Sequence, residues 1–361
     1  MQVKALDVGT GFLVKAETDE LTGEVVFTSE RNAFLQAATS DDTEVTLKEN
    51  NWNYIKHGND YYILGEDALK LKNLLTIHTG KELDNIIVTK VGELRRPMQH
   101  GLLNTSEEKL SIAIIQKLIQ NLVGPPKTKD EVLCFCSPSD PVDSDMSVVF
   151  HKTMITAFLK GLGYSVECIP EALAIIYSER PITVDEDGKE APFSGIAMSF
   201  GAGMCNCTFA FKKMPLISFA ISRSGDWIDR EASKVAGVNI SAITRYKESK
   251  FDLTKIDKGN IIEAALEIFY QNMIEHALEI FADKFSKLDS KIESPLEIVV
   301  AGGTATVPGF IDKFKIILES KSLPFKVKGV RLAQDPLYTV ANGCLIKAIS
   351  VENKTKEEIK K

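Results

Sequence analysis

Two short turns in this sequence carry the residue types that can grip a phosphate, Gly9-Thr10-Gly11 and Gly201-Ala202-Gly203. Each interrupts a run that alternates apolar with small or polar residues, "VKALDVGTGFLVKAE" and "GIAMSFGAGMCNCTFAF", so each reads as strand, glycine turn, strand. Glycine lets backbone approach an anion closely and aim its N–H groups at it. Two such turns facing each other would hold a phosphate chain from both sides. Laid over one another, the segments match Asp7 with Ser199, so a carboxylate suited to directing magnesium in the first copy is a hydroxyl in the second. A third stretch, "LEIVVAGGTATVPGFIDKFKII", reads as a buried strand, a Gly302-Gly303-Thr304 turn and a helix with Pro308 near its first turn. That arrangement puts a helix N-terminus and bare backbone where a nucleotide can dock. It is neither a Walker loop nor a G-x-G-x-x-G fingerprint.

The elements around these turns must bring them together. The second turn lies about half a chain length after the first, which predicts two related domains across a cleft, and 361 residues are enough for both. A composition of 44% hydrophobic and 26% charged residues is that of a soluble globular protein. The net charge of −7 argues against a direct nucleic-acid partner, which needs a basic face. No apolar run reaches the roughly 18 residues of a membrane span. Met1-Gln2-Val3-Lys4 leads almost directly into a strand, so no signal peptide or amphipathic membrane helix is expected, and a cytoplasmic location is. Cys134-x-Cys136 and Cys205-x-Cys207 lie in strand-like alternation and read as reduced, buried thiols, since strand C-x-C lacks the usual zinc-knuckle spacing. The five histidines are scattered and suggest no metal cluster.

Taken together, these pieces resemble the actin-like ATPase superfamily. "DVGTG" and "SFGAG" look like its two phosphate loops, and "AGGTATVPGF" like its adenosine loop. "IPEALAIIYS" and "DPLYTVANGCLIKAIS" resemble its two interdomain connecting helices. Within the superfamily, "RRPMQHGLL", "SRSGDWIDREA" and "YYILGEDALKL" are most similar to bacterial actins of the MreB and MamK type.

The resemblance implies an α/β, actin-like (ribonuclease H-like) two-domain fold, with duplicated five-stranded mixed sheets around a nucleotide cleft that takes ATP or ADP with Mg2+. Asp7 would direct the magnesium through water, as suits a cation that dehydrates reluctantly. Gly9, Thr10 and Gly11 would contact the phosphates from one domain, and Gly201, Ala202 and Gly203 from the other. Gly302, Gly303, Thr304 and Ala305 would line the adenosine, and Thr244 and Lys247 of "AITRYKES" would pack on base and ribose. Gly225 and Asp226 belong to the glycine–aspartate element of the cleft. Glu171 falls where these proteins carry the carboxylate that orients the attacking water, with a helix-flanking role as its alternative.

Ser199 departs from the family aspartate. Losing an outer-shell carboxylate costs about ten- to a hundredfold in metal affinity or activity, so Ser199→Asp is expected to restore roughly tenfold unless the pocket has rearranged around serine. Asp226 is a nearby carboxylate that could compensate. Phe12 and Leu13 also replace polar residues after the first turn. Binding is therefore a stronger expectation than turnover.

The domains are expected at 1–178 with 330–350, carrying a small subdomain over 31–95, and at 179–329, carrying a second over 229–290. Within the latter, Ile262, Leu266, Phe269, Met273, Leu278 and Phe281 form a stripe at helical spacing that reads as a core face. The charged segment 351–361 is expected to be disordered. The functional expectation is a cytoskeletal ATPase that assembles with itself head to tail into filaments and hydrolyses ATP slowly, with cytoplasmic adaptor proteins as further partners and no indicated membrane contact. A non-hydrolysing ATP-binding scaffold and a small-molecule kinase of the same superfamily are the alternatives.

Overall fold

The computed structural model describes residues 3–38, 43–78, 94–106, 108–289 and 292–359. The chain opens with an antiparallel meander, β1 (Val3–Val8), β2 (Phe12–Thr18) and β3 (Val25–Arg31). A small excursion follows, made of β4 (Phe34–Ala38), α1 (Thr43–Glu49), β5 (Tyr54–His57), β6 (Asp60–Leu64) and α2 (Gly65–His78), with its strands ordered β4-β6-β5. A short hairpin, β7 (Met98–Gln99) and β8 (Leu102–Leu103), returns the chain to the main body. There α3 (Ser111–Val123), β9 (Val132–Ser137), α4 (Val149–Gly161) and β10 (Ser165–Pro170) complete a sheet ordered β10-β9-β1-β2-β3. β9 runs parallel to both β1 and β10.

After α5 (Glu171–Glu179) and a ribbon of β11 (Ile182–Val184) and β12 (Glu190–Pro192), the same pattern repeats. The second meander is β13 (Gly195–Phe200), β14 (Cys205–Phe211) and β15 (Met214–Ile221). Three helices follow, α6 (Gly225–Ala236), α7 (Ile240–Ser249) and α8 (Ile261–Ser286). Then come β16 (Leu296–Ala301), a 3-10 turn over Gly303–Thr306, α9 (Phe310–Glu319) and β17 (Val327–Leu332). The sheet order, β17-β16-β13-β14-β15, is the first sheet's order repeated, again with parallel outer strands. The duplication read from the glycine turns is thus a duplication of topology.

Strand alternation explains how the layers assemble. On β1, Leu6 and Val8 face a core with Ile114, Leu118 and Ile119 of α3, while Val3 and Ala5 face the opposite side. On β13, Ile196, Met198 and Phe200 face the core made by α8 and α9, and Ala197 faces the opposite side. The small residues of both sheets therefore share one inner layer with α5 and with the last helix, α10 (Thr339–Ile359). These two helices cross in direct contact. A Cβ on Gly343 would fall 1.8 Å from the carbonyl oxygen of Ala174, so only glycine fits that crossing. The expected stripe on α8 packs as a core face, with Leu266, Met273, Leu278 and Phe281 buried and Ile262 and Phe269 at its margin.

One expectation is corrected. Up to Ile359 the charged C-terminal segment is helical rather than disordered, as a continuation of α10 supported by the i,i+4 pair Glu352–Lys356 at 2.7 Å. Among the described residues no helix is long and apolar enough to cross a membrane.

Candidate nucleotide cleft

A cavity of about 580 Å³ lies between the two halves. Every site residue singled out in the sequence lines it except Gly225 and Ala305. Both glycine turns are held from behind by their carbonyl oxygens. Asn32 donates its side-chain amide to Gly9 O (2.9 Å) and its backbone N–H to Gly11 O (3.0 Å). Gly201 O accepts three bonds, from Gly225 N (3.1 Å), Ser224 Oγ (2.6 Å) and Thr304 Oγ1 (2.8 Å). Ala202 O accepts from Asp226 N at 2.8 Å. With these carbonyls taken by protein donors, what the turns offer a ligand is their remaining N–H groups, apart from Gly201 N, which donates to Met204 O at 3.1 Å.

Gly225 thereby has a packing role. A Cβ there would fall 2.5 Å from Thr304 Oγ1, so glycine lets α6, the second turn and the Gly302–Thr304 turn meet. Ala305 is buried in the core beneath that turn. Gly302 has φ +92°, and a Cβ on it would strike Phe200 O at 2.4 Å. The two phosphate turns also touch each other: a Cβ on Gly203 would lie 2.4 Å from Thr10 Oγ1 and 2.3 Å from Gly101 N. Gly101 N in turn donates to Thr10 Oγ1 at 3.1 Å.

The carboxylates Asp7 and Glu171 both line this cavity. Asp7 Oδ1 accepts the Cys136 thiol at 3.1 Å. Glu171, the first residue of α5, accepts Ser199 Oγ on Oε1 at 2.6 Å and Asn206 Nδ2 on Oε2 at 2.9 Å. Asn206 is fixed by accepting Ser139 N at 3.0 Å. Burial pushes both carboxyls above the usual carboxylate range, and for Glu171 the neighbouring Asp7 charge adds to the effect. Two hard oxygen donors that repel each other suit a divalent cation. No three His, Cys, Asp or Glu side chains among the described residues converge into a self-sufficient metal site. Magnesium would accordingly be held through carboxylate, water and phosphate together, the usual manner for this ion.

Other residues are placed differently from expectation. Asp226 is engaged by Arg96, whose Nη1 lies 2.8 and 3.0 Å from its two oxygens. Thr244 and Lys247 both turn to Asp229, Thr244 Oγ1 to Oδ2 at 2.7 Å and Lys247 Nζ to Oδ1 at 2.6 Å. Lys247 also donates to Gly225 O at 3.1 Å. Phe12 lines the cavity under the Arg31 guanidinium, 4.7 Å from the ring centre, whereas Leu13 is a core residue. Sequence reasoning missed Arg96, Asn206, Asp229 and Asn32. Asn206, the polar residue between Cys205 and Cys207 on β14, was signalled by alternation; Arg96 and Asp229 lie inside the motifs "RRPMQHGLL" and "SRSGDWIDREA" but their partners do not show there, and Asn32 carries no local mark.

The arrangement can hold a polyanion between two amide edges and present a carboxylate to a water beside it. Similar architecture occurs in known structures. A MamK double helical filament matches with a TM-score of 0.66 and 12% identity, over 96% of this chain and 98% of that one. MreB5 of Spiroplasma citri bound to AMPPNP matches with a TM-score of 0.64 and 13% identity, over 99% and 98%. The ethanolamine utilization protein EutJ from Carboxydothermus hydrogenoformans matches with a TM-score of 0.51 and 13% identity, over 96% and 89%. The fold is therefore actin-like, of the MreB and MamK type. No curated protein matches in sequence. The family model described as Volactin matches residues 1–348, nearly the whole of both duplicated halves, and the chain belongs to the Volactin family.

Proposed function

We propose that this chain is an actin-like cytoskeletal protein that binds ATP with magnesium in the cleft, polymerises head to tail and hydrolyses ATP slowly. The observation that carries this reading is the pair of opposed glycine turns, their carbonyls taken by protein donors, with Asp7 and Glu171 lining the same cavity. Asp7 would hold magnesium through its waters, and the cation when bound would supply charge neutralisation for the phosphates. Glu171 positions the attacking water, since phosphoryl transfer depends mainly on positioning and electrostatics. The methylene stem of Lys247 and the Gly302–Thr304 turn form the nucleoside end. Filaments of the same fold, such as the MamK double helix, support self-association, and the AMPPNP bound to MreB5 supports a nucleotide in the cleft. A heterologous contact that does not close generates such filaments. The protein acts in the cytoplasm in this reading.

A second reading, an ATP-binding scaffold without turnover, is favoured by one specific feature: both Glu171 oxygens are already engaged by Ser199 and Asn206. Sedimentation and phosphate release with ATP, GTP and AMPPNP separate the two. Filaments with ATP and AMPPNP plus slow phosphate release support the first. Filaments or ATP binding without phosphate release support the second. No thermal shift with any purine nucleotide sinks both.

A further inference from the structure

Arg96 belongs to the first half and Asp226 to the first turn of α6 in the second. A guanidinium that meets a carboxylate as a full fork uses two nitrogens in parallel. Here Nη1 alone serves both Asp226 oxygens, at 2.8 and 3.0 Å, and Nε and Nη2 have no partner among the described residues. The backbone N–H of the same Asp226 donates to Ala202 O, so the guanidinium sits one carboxylate away from the second glycine turn. Its own segment is fastened to the first. Gly101 N donates to Thr10 Oγ1, and Arg95 exchanges backbone bonds of 2.8 and 2.9 Å with Phe34. The arginine is thus placed from both sides of the cleft.

Charge balance singles it out. Six carboxylates line the cavity, Asp7, Glu171, Asp226, Asp229, Glu248 and Asp252, against the four cations Arg31, Arg96, Lys247 and Lys250. Lys247 is taken by Asp229 and the Gly225 carbonyl. Arg31 pairs with Glu66 at 3.3 Å and lies on the Phe12 ring. Lys250 is exposed at the C-terminal end of α7, where a hydrated ammonium on a long stem is poorly positioned. Arg96 is the cation that combines open donors with a place beside a glycine turn, and its planar edge matches phosphate oxygens.

We propose that Arg96 is a phosphate-binding side chain of this cleft, oriented by Asp226 and taking nucleotide phosphate oxygens on its Nε and Nη2 edge; this rests on the nucleotide-binding reading above. Calorimetric titration with ATP, ADP and adenosine in magnesium, on the full chain and on Arg96→Ala, Arg96→Lys and Asp226→Asn, tests it. Arg96→Ala weakens ATP and ADP at least about tenfold and leaves adenosine within about twofold. Arg96→Lys, which keeps a charge for Asp226 but lacks the fork, shows the same phosphate-dependent loss and decides the matter if the alanine variant does not fold. Asp226→Asn removes an anion beside the phosphates and holds or tightens ATP binding. Unchanged ATP affinity in the arginine variants overturns the proposal, as does an equal loss of adenosine, which would make Arg96 only a brace between the halves. A wild-type chain that binds none of the three ligands overturns the nucleotide reading itself.

Discussion

Ser199 donates its hydroxyl hydrogen to Glu171 Oε1 at 2.6 Å, joining β13 of the second half to the first residue of α5. The serine, at a place where the resemblance to bacterial actins implies an aspartate, therefore serves Glu171. A pocket already organised around this bond changes the expected effect of restoring the aspartate. Ser199→Asp sets one buried carboxylate against another, with Asp7 close by, and a pair of like charges in such a site cannot easily ionise together. The expected result is ATP binding weakened about tenfold at every magnesium concentration, with no gain in turnover, equivalent to about 1.4 kcal/mol. Calorimetry across a magnesium series checks this, and a gain in magnesium affinity would restore the simpler view of a lost metal-directing group.

Glu171→Gln keeps the size of the side chain and can still accept from Ser199, but it removes the charge that orients water. Phosphate release should fall about a hundredfold, the lower range for a positioned acid or base, with ATP affinity nearly intact. Single-turnover phosphate release beside a binding titration separates the two quantities. Equal turnover in wild type and variant would remove Glu171 from the chemistry.

The same substitution bears on the nucleotide-free protein's response to alkali. Burial first, and for Glu171 the Asp7 charge second, raise these carboxyls above their unfolded values. A raised acid binds more protons folded than unfolded, so its contribution to stability is complete below about pH 4 and is lost as pH rises through the raised values. The melting temperature of the free chain should decline over that range, less steeply in Glu171→Gln, and magnesium with ATP should offset the decline. A slope identical in wild type and variant would contradict the assignment.

His151 acts on the acid side. It is 1% exposed on α4, neither ring nitrogen has a hydrogen-bond partner among the described residues, and burial lowers its pKa from 6.5 to about 4. The unfolded chain takes up a proton that the folded chain resists, so stability falls as pH drops from about 6.5 to 4, by on the order of 3 kcal/mol. His151→Met, apolar and of similar length, should flatten that limb. Urea denaturation at pH 7 and pH 4.5 measures the difference, and an unchanged gap would place the acid sensitivity elsewhere.

The contact between the glycine turns predicts a contrast. Gly203→Ala drives a Cβ into Gly101 N and Thr10 Oγ1, both nearer than 2.5 Å, and should cost about 1–3 kcal/mol and lower the melting temperature by several degrees. Gly11→Ala meets nothing nearer than Ala202 Cβ at 3.9 Å, an ordinary contact, and should melt close to wild type. Thermal denaturation of the two variants side by side gives the answer; similar melting would mean the turns stand further apart than the structure has them.

Much of this protein is written locally. Alternation on β1 and β13 set the two sheets, the glycines at 9, 11, 201 and 203 set their turns, and the apolar spacing on α8 set a core face, because each depends on residues a few positions apart. Asp7 and Glu171 were singled out through the resemblance, and the structure places both on the cavity, at the end of one strand and the start of one helix. The partners of the site's polar groups were not legible. That Ser199 holds Glu171, that Arg96 holds Asp226, and that Thr244 and Lys247 converge on Asp229 follow from how β13, α5, α6 and α7 are set against one another. In a buried site each charge and hydroxyl must find its partner among whatever groups the packed halves bring near. Which groups those are is decided by the packing of elements distant in sequence, and no local pattern records it.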